Sequence, residues 1–442
     1  MPTVFVIGAG RSSAFLISYL LTHAQTENWE IVVGDVAPDL AAQKIAGHKN
    51  GRAIYFDVND ALMRESVIKS ATVVVSMLPA ALHLLVARDC LSFGKHLVTA
   101  SYVSREIAAL DAEASLKDLV FLNEMGLDPG IDHMSAMQLI DRIKASGGEI
   151  TSFKSYCGGL ISPESDTNPW SYKFTWNPRN VVVAGQGTAQ YIENGQLRYI
   201  PYNRIFSETE SLEVDRVGRF DAYANRDSLS YRHPYGLALI PSLLRGTLRS
   251  PGFCAAWNVF VKLGLTDDTY TITDCNQLTY AELLGSYLPL QLKGNLRSRL
   301  AAFLGEQEDS PVLEKINWLG ILGDEKIKRS SGTPARILQD LLEEKWKLRE
   351  GDKDRIVMIH KFVCRTEGTE KKITSVLDVK GEDQLNTAMA KTVGLPMAIA
   401  VKLILKGQIK KRGVCIPTDK EWYVPVLNEL QTLGIVFREI VS

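Results

Sequence analysis

The 442-residue chain lacks an excess of charge of either sign: fifty Lys and Arg stand against fifty-one Asp and Glu, a formal net charge of −1. That balance argues against a nucleic-acid binder, which carries a basic excess or patch. It also lacks paired cysteines. Cys90, Cys157, Cys254, Cys275, Cys364 and Cys415 lie far apart with no CxxC spacing. Reduced thiols in a cytoplasmic protein are therefore expected, with no disulfide framework and no metal site. There is no run of about 18 apolar residues, so no membrane span is expected. The first apolar segment starts at Val4 and meets Gly8 without a basic stretch ahead of it, which is not a signal-peptide pattern. Internal repeats and low-complexity linkers are missing too. What is present is an ordinary globular composition, 45% apolar and 23% charged. A chain of this length is expected to form two or three domains.

Residues 4–7 are continuously apolar, residues 8–13 read Gly-Ala-Gly-Arg-Ser-Ser, and residues 14–21 are mostly apolar. This pattern predicts a buried strand, a tight turn and a helix. Gly8 permits the turn, and Gly10 lets backbone approach a pyrophosphate at the helix N-terminus. Ser13 stands where the usual fingerprint has its third glycine. A second strand over residues 30–34 ends at Asp35. A carboxylate there binds the adenosine ribose hydroxyls and repels a 2′-phosphate, so NAD is expected and NADP is disfavoured. Apolar runs at 73–78, 96–100 and 119–122 alternate with helical segments at 82–93 and 106–116. Such alternation predicts a parallel sheet covered on both faces. Ligands of such sheets bind beyond the strand C-termini, which here carry residues 8–13, Asp35, Leu78, Pro79, Ser101, Tyr102 and 124–128.

The texture changes after Gly130. Residues 168–176 are rich in aromatic and turn residues and suggest an antiparallel sheet with long loops. Arg245 and Arg249 lie four apart, and residues 253–347 have mostly helical periodicity. Residues 355–379 alternate like returning strands. An apolar helix is expected to open at Gly394-Leu395-Pro396 and run to Leu405. The closing segments, 414–417 and 424–441, could dock on the first domain.

At this point the sequence resembles a known family. Its markers are Thr99-Ala100-Ser101-Tyr102-Val103-Ser104, Gly126-Leu127-Asp128-Pro129-Gly130-Ile131-Asp132-His133, and residues 155–160, 168–176, 225–228, 245–249, 318–320 and 388–396. In this order they resemble the glutamate-forming saccharopine dehydrogenases of lysine metabolism, including the dehydrogenase half of the bifunctional animal enzyme. The resemblance implies an α/β fold. A Rossmann dinucleotide-binding domain would take residues 1–130 and 394–442, a mixed α/β substrate domain 131–250 and 350–393, and an inserted helical domain 251–349. It implies oxidation of saccharopine, with hydride leaving the lysine ε-carbon for nicotinamide and the imine hydrolysed to glutamate and 2-aminoadipate 6-semialdehyde. Fungal members use NADP and carry a basic residue after their second strand. The animal dehydrogenase half uses NAD and is acidic there, as Gly34-Asp35-Val36 is here, so the resemblance too points to NAD.

The resemblance and the turn together place the cofactor at Gly8, Gly10, Arg11, Ser12, Ser13, Asp35, Asp57, Val58, Leu78, Pro79, Leu127, Pro129 and Thr175. For the substrate, with three carboxylates and two amines, the resemblance implies Ser101, Tyr102, Asp128, Arg226, Thr247, Leu248 and Arg249. Guanidinium suits bidentate carboxylate binding. Arg245 is a weaker candidate. Tyr102, Asp128 and Cys157 are the candidates for proton transfer, although Cys157 reads as pocket lining, since the reaction needs no thiol adduct. His133 reads as a structural histidine. Two departures touch fine specificity: Ala224 precedes Asn225 where the family often has Pro, and Ile161-Ser162-Pro163-Glu164 replaces a common Pro-Ala-Pro-Glu. The rivals are a related amine dehydrogenase, of the lysine 6-dehydrogenase or carboxynorspermidine type, and a nucleotide-binding sensor without chemistry. The expected partner is the small-molecule substrate, without nucleic acid or membrane; a homodimer is left open.

Overall fold

The computed structural model describes residues 1–184 and 186–442. It comprises two compact units, Met1–Ile150 with Val363–Ser442, and Thr151–Phe362.

The amino-terminal part of the first unit alternates strand and helix. Its strands are β1 (Thr3–Ile7), β2 (Glu30–Asp35), β3 (Gly51–Tyr55), β4 (Val73–Ser76), β5 (His96–Thr99) and β6 (Val120–Leu122). Between and after them run α1 (Ala14–Glu27), α2 (Pro38–Ile45), α3 (Ala61–Ser70), α4 (His83–Phe93), α5 (Arg105–Ala108), α6 (Asp111–Leu116) and α7 (Ile131–Ala145). Residues 4–7 and 73–75 are wholly buried. A parallel strand with helices on both faces has no solvent side, which is why these runs are apolar without alternation. The helix expected over 106–116 is two short helices, and β3 and its flanking helices went unread in the sequence.

The second unit contains a mixed sheet. Six of its nine strands are β7 (Glu149–Ile161), β8 (Ala189–Glu193), β9 (Gln196–Ile200), β10 (Thr209–Val214), β11 (Gly218–Ala224) and β12 (Ser242–Arg249). β12 runs parallel to β7 and antiparallel to β11, β11 pairs antiparallel with β10, and the β8–β9 hairpin joins through Ile192 opposite Leu243. The short helix α8 (Pro178–Val182) precedes β8. The helical stretch holds α9 (Phe253–Leu263), α10 (Tyr280–Ser286), α11 (Leu296–Leu304), α12 (Pro311–Trp318) and α13 (Pro334–Lys345), with the small ribbon β13 (Ile272–Thr273) and β14 (Ser331–Gly332).

Residues 168–176 are irregular, not strand. Trp170, Tyr172 and Phe174 turn inward and pack with Phe253, Trp257 and Trp346. Asn168 holds the bend by accepting from the Trp170 N–H at 3.0 Å and donating to the Tyr172 carbonyl at 3.0 Å. Aromatic density had suggested a sheet; here it builds a core from a loop.

The chain returns to the first unit through β15 (Asp354–Thr366), followed by β16 (Thr369–Lys380), α14 (Ala388–Leu405), β17 (Gly413–Cys415), α15 (Lys420–Thr432) and β18 (Phe437–Val441). β17 joins β6 in parallel and completes a seven-stranded sheet, β17-β6-β5-β4-β1-β2-β3. Strand order reverses at β1, so the chain ends after β1 and β4 diverge and open a crevice. The helix α14 begins six residues earlier than expected. Thr387 caps it, its hydroxyl accepting from the Ala390 N–H at 3.0 Å, and Pro396 lies inside instead of at its start. By length and composition α14 could cross a membrane, but 78% of it is buried, against α1, β4 and β5. All six cysteines are buried.

Candidate active site

In the first unit the crevice begins at the glycine turn. Gly8 has φ +102°, and its N–H donates to the Gly34 carbonyl at 2.8 Å. A Cβ there would meet the Met77 side chain at 3.3 Å. A Cβ on Gly10 would meet nothing within 4 Å, so the space above it is open to a ligand. Ser13 is wholly buried, and its hydroxyl donates to the Gly10 carbonyl at 3.0 Å. On α14, a side chain at Gly394 would strike the Leu16 N–H at 2.8 Å. That glycine lets α14 lie against the first turn of α1. An open turn at a helix start fits a dinucleotide pyrophosphate.

Asp35 closes the back of this turn. One carboxylate oxygen accepts the Ala9 N–H at 2.7 Å and the other the Ala37 N–H at 2.9 Å. Lys44 reaches over from α2 to donate to the Gly10 carbonyl and, at 2.8 Å, to the Ser13 hydroxyl. Asp57 and Val58 follow β3. Asp57 accepts the Asn59 N–H at 2.9 Å, and the Val58 carbonyl accepts from Arg64 at 2.7 Å. Leu78 is half-buried and Pro79 exposed just after β4.

A histidine that the sequence reading did not single out links the neighbouring strand ends. His83 Nδ1 lies 2.8 Å from the Ser76 hydroxyl and Nε2 lies 2.7 Å from that of Ser101. Burial lowers its pKa to about 4, so the ring is neutral. Tyr102 follows Ser101 and is half-buried.

The Gly126–Gly130 turn stands beside this chain. The Gly126 N–H donates to the Pro129 carbonyl at 2.9 Å, and the Asp128–Pro129 bond is cis. Gly130 is obligatory, because a Cβ would lie 2.0 Å from the Gly126 carbonyl oxygen. Leu127 is buried and Asp128 half-buried. Beneath the turn, His133 Nε2 lies 2.8 Å from a Glu124 oxygen, and Asp132 accepts the Gly130 N–H at 2.6 Å. His133 is fully buried between these two carboxylates, an arrangement that supports the turn. Glu124 falls in the strand-end stretch 124–128 read from the sequence, whereas His83 belongs to no marker run.

In the second unit, Cys157 lies on β7 and Arg245, Thr247, Leu248 and Arg249 on β12, while Thr175 and Arg226 lie outside the strands. Thr247 is opposite Cys157, and Arg249 is opposite Asp221. Arg249 is 4% exposed. Its guanidinium carbon lies 5.4, 5.9 and 5.3 Å from the ring centres of Tyr172, Tyr223 and Phe253. One terminal nitrogen donates to the Leu248 carbonyl at 3.3 Å, and Nε has no hydrogen-bond partner. The Cys157 and Cys254 thiols lie within reach of its charge. Arg245 is buried under the Tyr231 ring at 4.3 Å. Arg226 is exposed, at φ +45°, its carbonyl accepting the Gln190 N–H at 2.8 Å. Leu248 and Thr175 are buried and Thr247 half-buried. Among the described residues no group of three or more His, Cys, Asp or Glu could hold a metal ion.

Comparison with known proteins agrees with this architecture. Residues 126–435 match the saccharopine dehydrogenase C-terminal domain and residues 4–122 the saccharopine dehydrogenase NADP binding domain. A Schizosaccharomyces pombe protein named saccharopine dehydrogenase (NADP(+), L-glutamate-forming) is 31% identical, over 99% of both chains. The mitochondrial alpha-aminoadipic semialdehyde synthase of Rattus norvegicus is 35% identical over 98% of this chain, which spans only 47% of that protein's length. The solved apo saccharopine dehydrogenase (L-Glu forming) of Saccharomyces cerevisiae superposes with a TM-score of 0.89 at 29% identity, covering all of both chains.

These matches correct the expectation of NAD. The nucleotide domain matches a domain described as NADP-binding, and the fungal relatives carry NADP(+) in their names. The charge argument fails for a structural reason. One Asp35 oxygen accepts the Ala9 amide of the glycine turn and the other the Ala37 amide, and Lys44 lies near enough for the two charges to interact. Asp35 is not the isolated carboxylate that would repel a 2′-phosphate. With an α/β nucleotide unit, a mixed-sheet unit and both domain models matched, the chain belongs to the saccharopine dehydrogenase family.

Proposed function

We propose that this chain is an L-glutamate-forming saccharopine dehydrogenase of lysine metabolism that uses NADP. The observation that carries the reading is Arg249. A guanidinium buried among three aromatic rings, with Nε unpartnered, is costly unless an anion joins it. A substrate carboxylate is such an anion, and the planar fork suits it.

Gly8, Gly10, Arg11, Ser12 and Ser13 would hold the dinucleotide phosphates, with Leu78, Pro79, Leu127, Pro129 and Thr175 toward the nicotinamide. Bound NADP supplies the hydride acceptor. Arg226 and Arg249 bind carboxylates, Asp128 takes an ammonium, and Ser101 and Thr247 orient the backbone of the substrate. Hydride loss needs the secondary amine neutral, and hydrolysis of the imine needs a proton moved from water. Tyr102 and Asp128 are the groups for those transfers, with Cys157 lining the pocket. Fixed positioning of the two reactants supplies much of the rate. Within the second unit, residues 251–349 act as a helical insertion.

The test follows the near-ultraviolet absorbance of reduced nicotinamide with purified protein, saccharopine and either coenzyme. Turnover with NADP well above that with NAD is expected. Turnover with lysine or carboxynorspermidine but not with saccharopine would move the chain to the related amine dehydrogenases.

A further inference from the structure

Lys44 is a half-buried ammonium placed on the glycine turn by α2. It donates to the Gly10 carbonyl and to the Ser13 hydroxyl. An ammonium has three N–H donors, so the two oxygens leave one donor over. No carboxylate hydrogen-bonds to it among the described residues. Its nearest anion is Asp35, whose two oxygens are already held by the Ala9 and Ala37 amides. The result is a cation anchored between the phosphate turn and the end of β2. That end of the second strand is where the adenosine ribose of a dinucleotide lies in this fold. Burial lowers the Lys44 pKa to about 8. A poorly hydrated ammonium gains more from a phosphate dianion than a fully solvated one does.

Resting on the reading of NADP as coenzyme, we propose that Lys44 binds the 2′-phosphate of the adenosine ribose and sets the preference for NADP over NAD. The sequence-based rule looks to the residue that ends the second strand. Here that residue is acidic and committed to the backbone, and the cation comes from the last turn of the following helix.

The experiment is calorimetric titration of the full chain with adenosine 2′,5′-bisphosphate and with adenosine 5′-monophosphate, which differ only in the phosphate at issue. Wild type should bind the bisphosphate more tightly. Lys44→Gln should weaken the bisphosphate by about tenfold or more, the loss of one charge-assisted hydrogen bond, and the monophosphate by less than about threefold. Lys44→Arg should keep most of the discrimination. Equal losses for both ligands would make Lys44 a brace of the turn and overturn the proposal, as would no loss for either. Wild type binding both ligands alike would instead defeat the NADP reading itself.

Discussion

The imidazole of His83 joins Ser76, at the end of β4, to Ser101, just past the end of β5, at 2.8 and 2.7 Å. A neutral ring offers one donor and one acceptor, so it dictates which hydroxyl gives its proton and which receives one. Ser101 precedes Tyr102, and both are half-buried just past the end of β5. We expect His83→Ala to lower kcat/KM for saccharopine by about tenfold while leaving coenzyme affinity intact. His83→Asn, which keeps one donor and one acceptor, should recover part of the loss. Steady-state kinetics alongside coenzyme titration separate the two effects.

The same histidine gives the protein a pH dependence. Its folded pKa of about 4 lies below the ordinary 6.5. Between those values the unfolded chain takes up a proton that the folded chain refuses, so stability rises with pH. The contribution is complete above about pH 6.5 and falls away toward pH 4. Urea midpoints measured across this range should fall more steeply on acidification for wild type than for His83→Asn. Parallel curves would show that the ring titrates normally.

Arg249 should separate charge from shape. Arg249→Gln is expected to reduce kcat/KM for saccharopine by about a hundredfold. Arg249→Lys should recover little, because a point charge cannot reproduce the fork. Neither change should alter NADPH binding, which fluorescence titration of the coenzyme would read. A variant with unchanged turnover would remove the substrate role from this residue.

The second unit contains a buried ion pair whose two halves behave differently from the whole. Lys173 Nζ lies 2.7 Å from Asp352, with side chains 3% and 11% exposed. Asp352 also accepts the Arg349 N–H at 2.6 Å. Asp352→Ala strands a buried ammonium and should cost about 3–5 kcal/mol. Replacing both, Lys173→Met with Asp352→Leu, should cost much less than that single change. Chemical denaturation of these two variants beside wild type reads the difference.

Much of this molecule was legible without coordinates. The uniform apolar runs at β1 and β4 announce strands covered on both faces, because local composition records local burial. The glycine turn is legible for a similar reason: φ +102° at Gly8 restricts the residue whatever lies around it. The marker runs carried the family, since each is a contiguous stretch of chain. Element ends were less visible. Pro396 read as the start of a helix that Thr387 in fact caps, because proline at a first turn and proline tolerated inside a buried helix look alike in one dimension.

What stayed hidden depends on residues far apart in the chain. Asp35 was correctly placed at a strand end, yet its partners, the Ala9 and Ala37 amides and the nearby Lys44, appear only in the folded chain. β17 completes the nucleotide sheet from nearly three hundred positions beyond β6 (Gly413 opposite Val120), a pairing no local pattern encodes. The aromatic surroundings of Arg249 come from a loop, a strand and a helix, and His83 reaches serines on two other segments. Periodicity, turn chemistry and motif order are properties of neighbouring residues, and they determined the elements and the family. Charge balance, hydrogen-bond satisfaction and desolvation belong to whatever packing brings together, and only the folded chain shows the partners of Asp35 and His83.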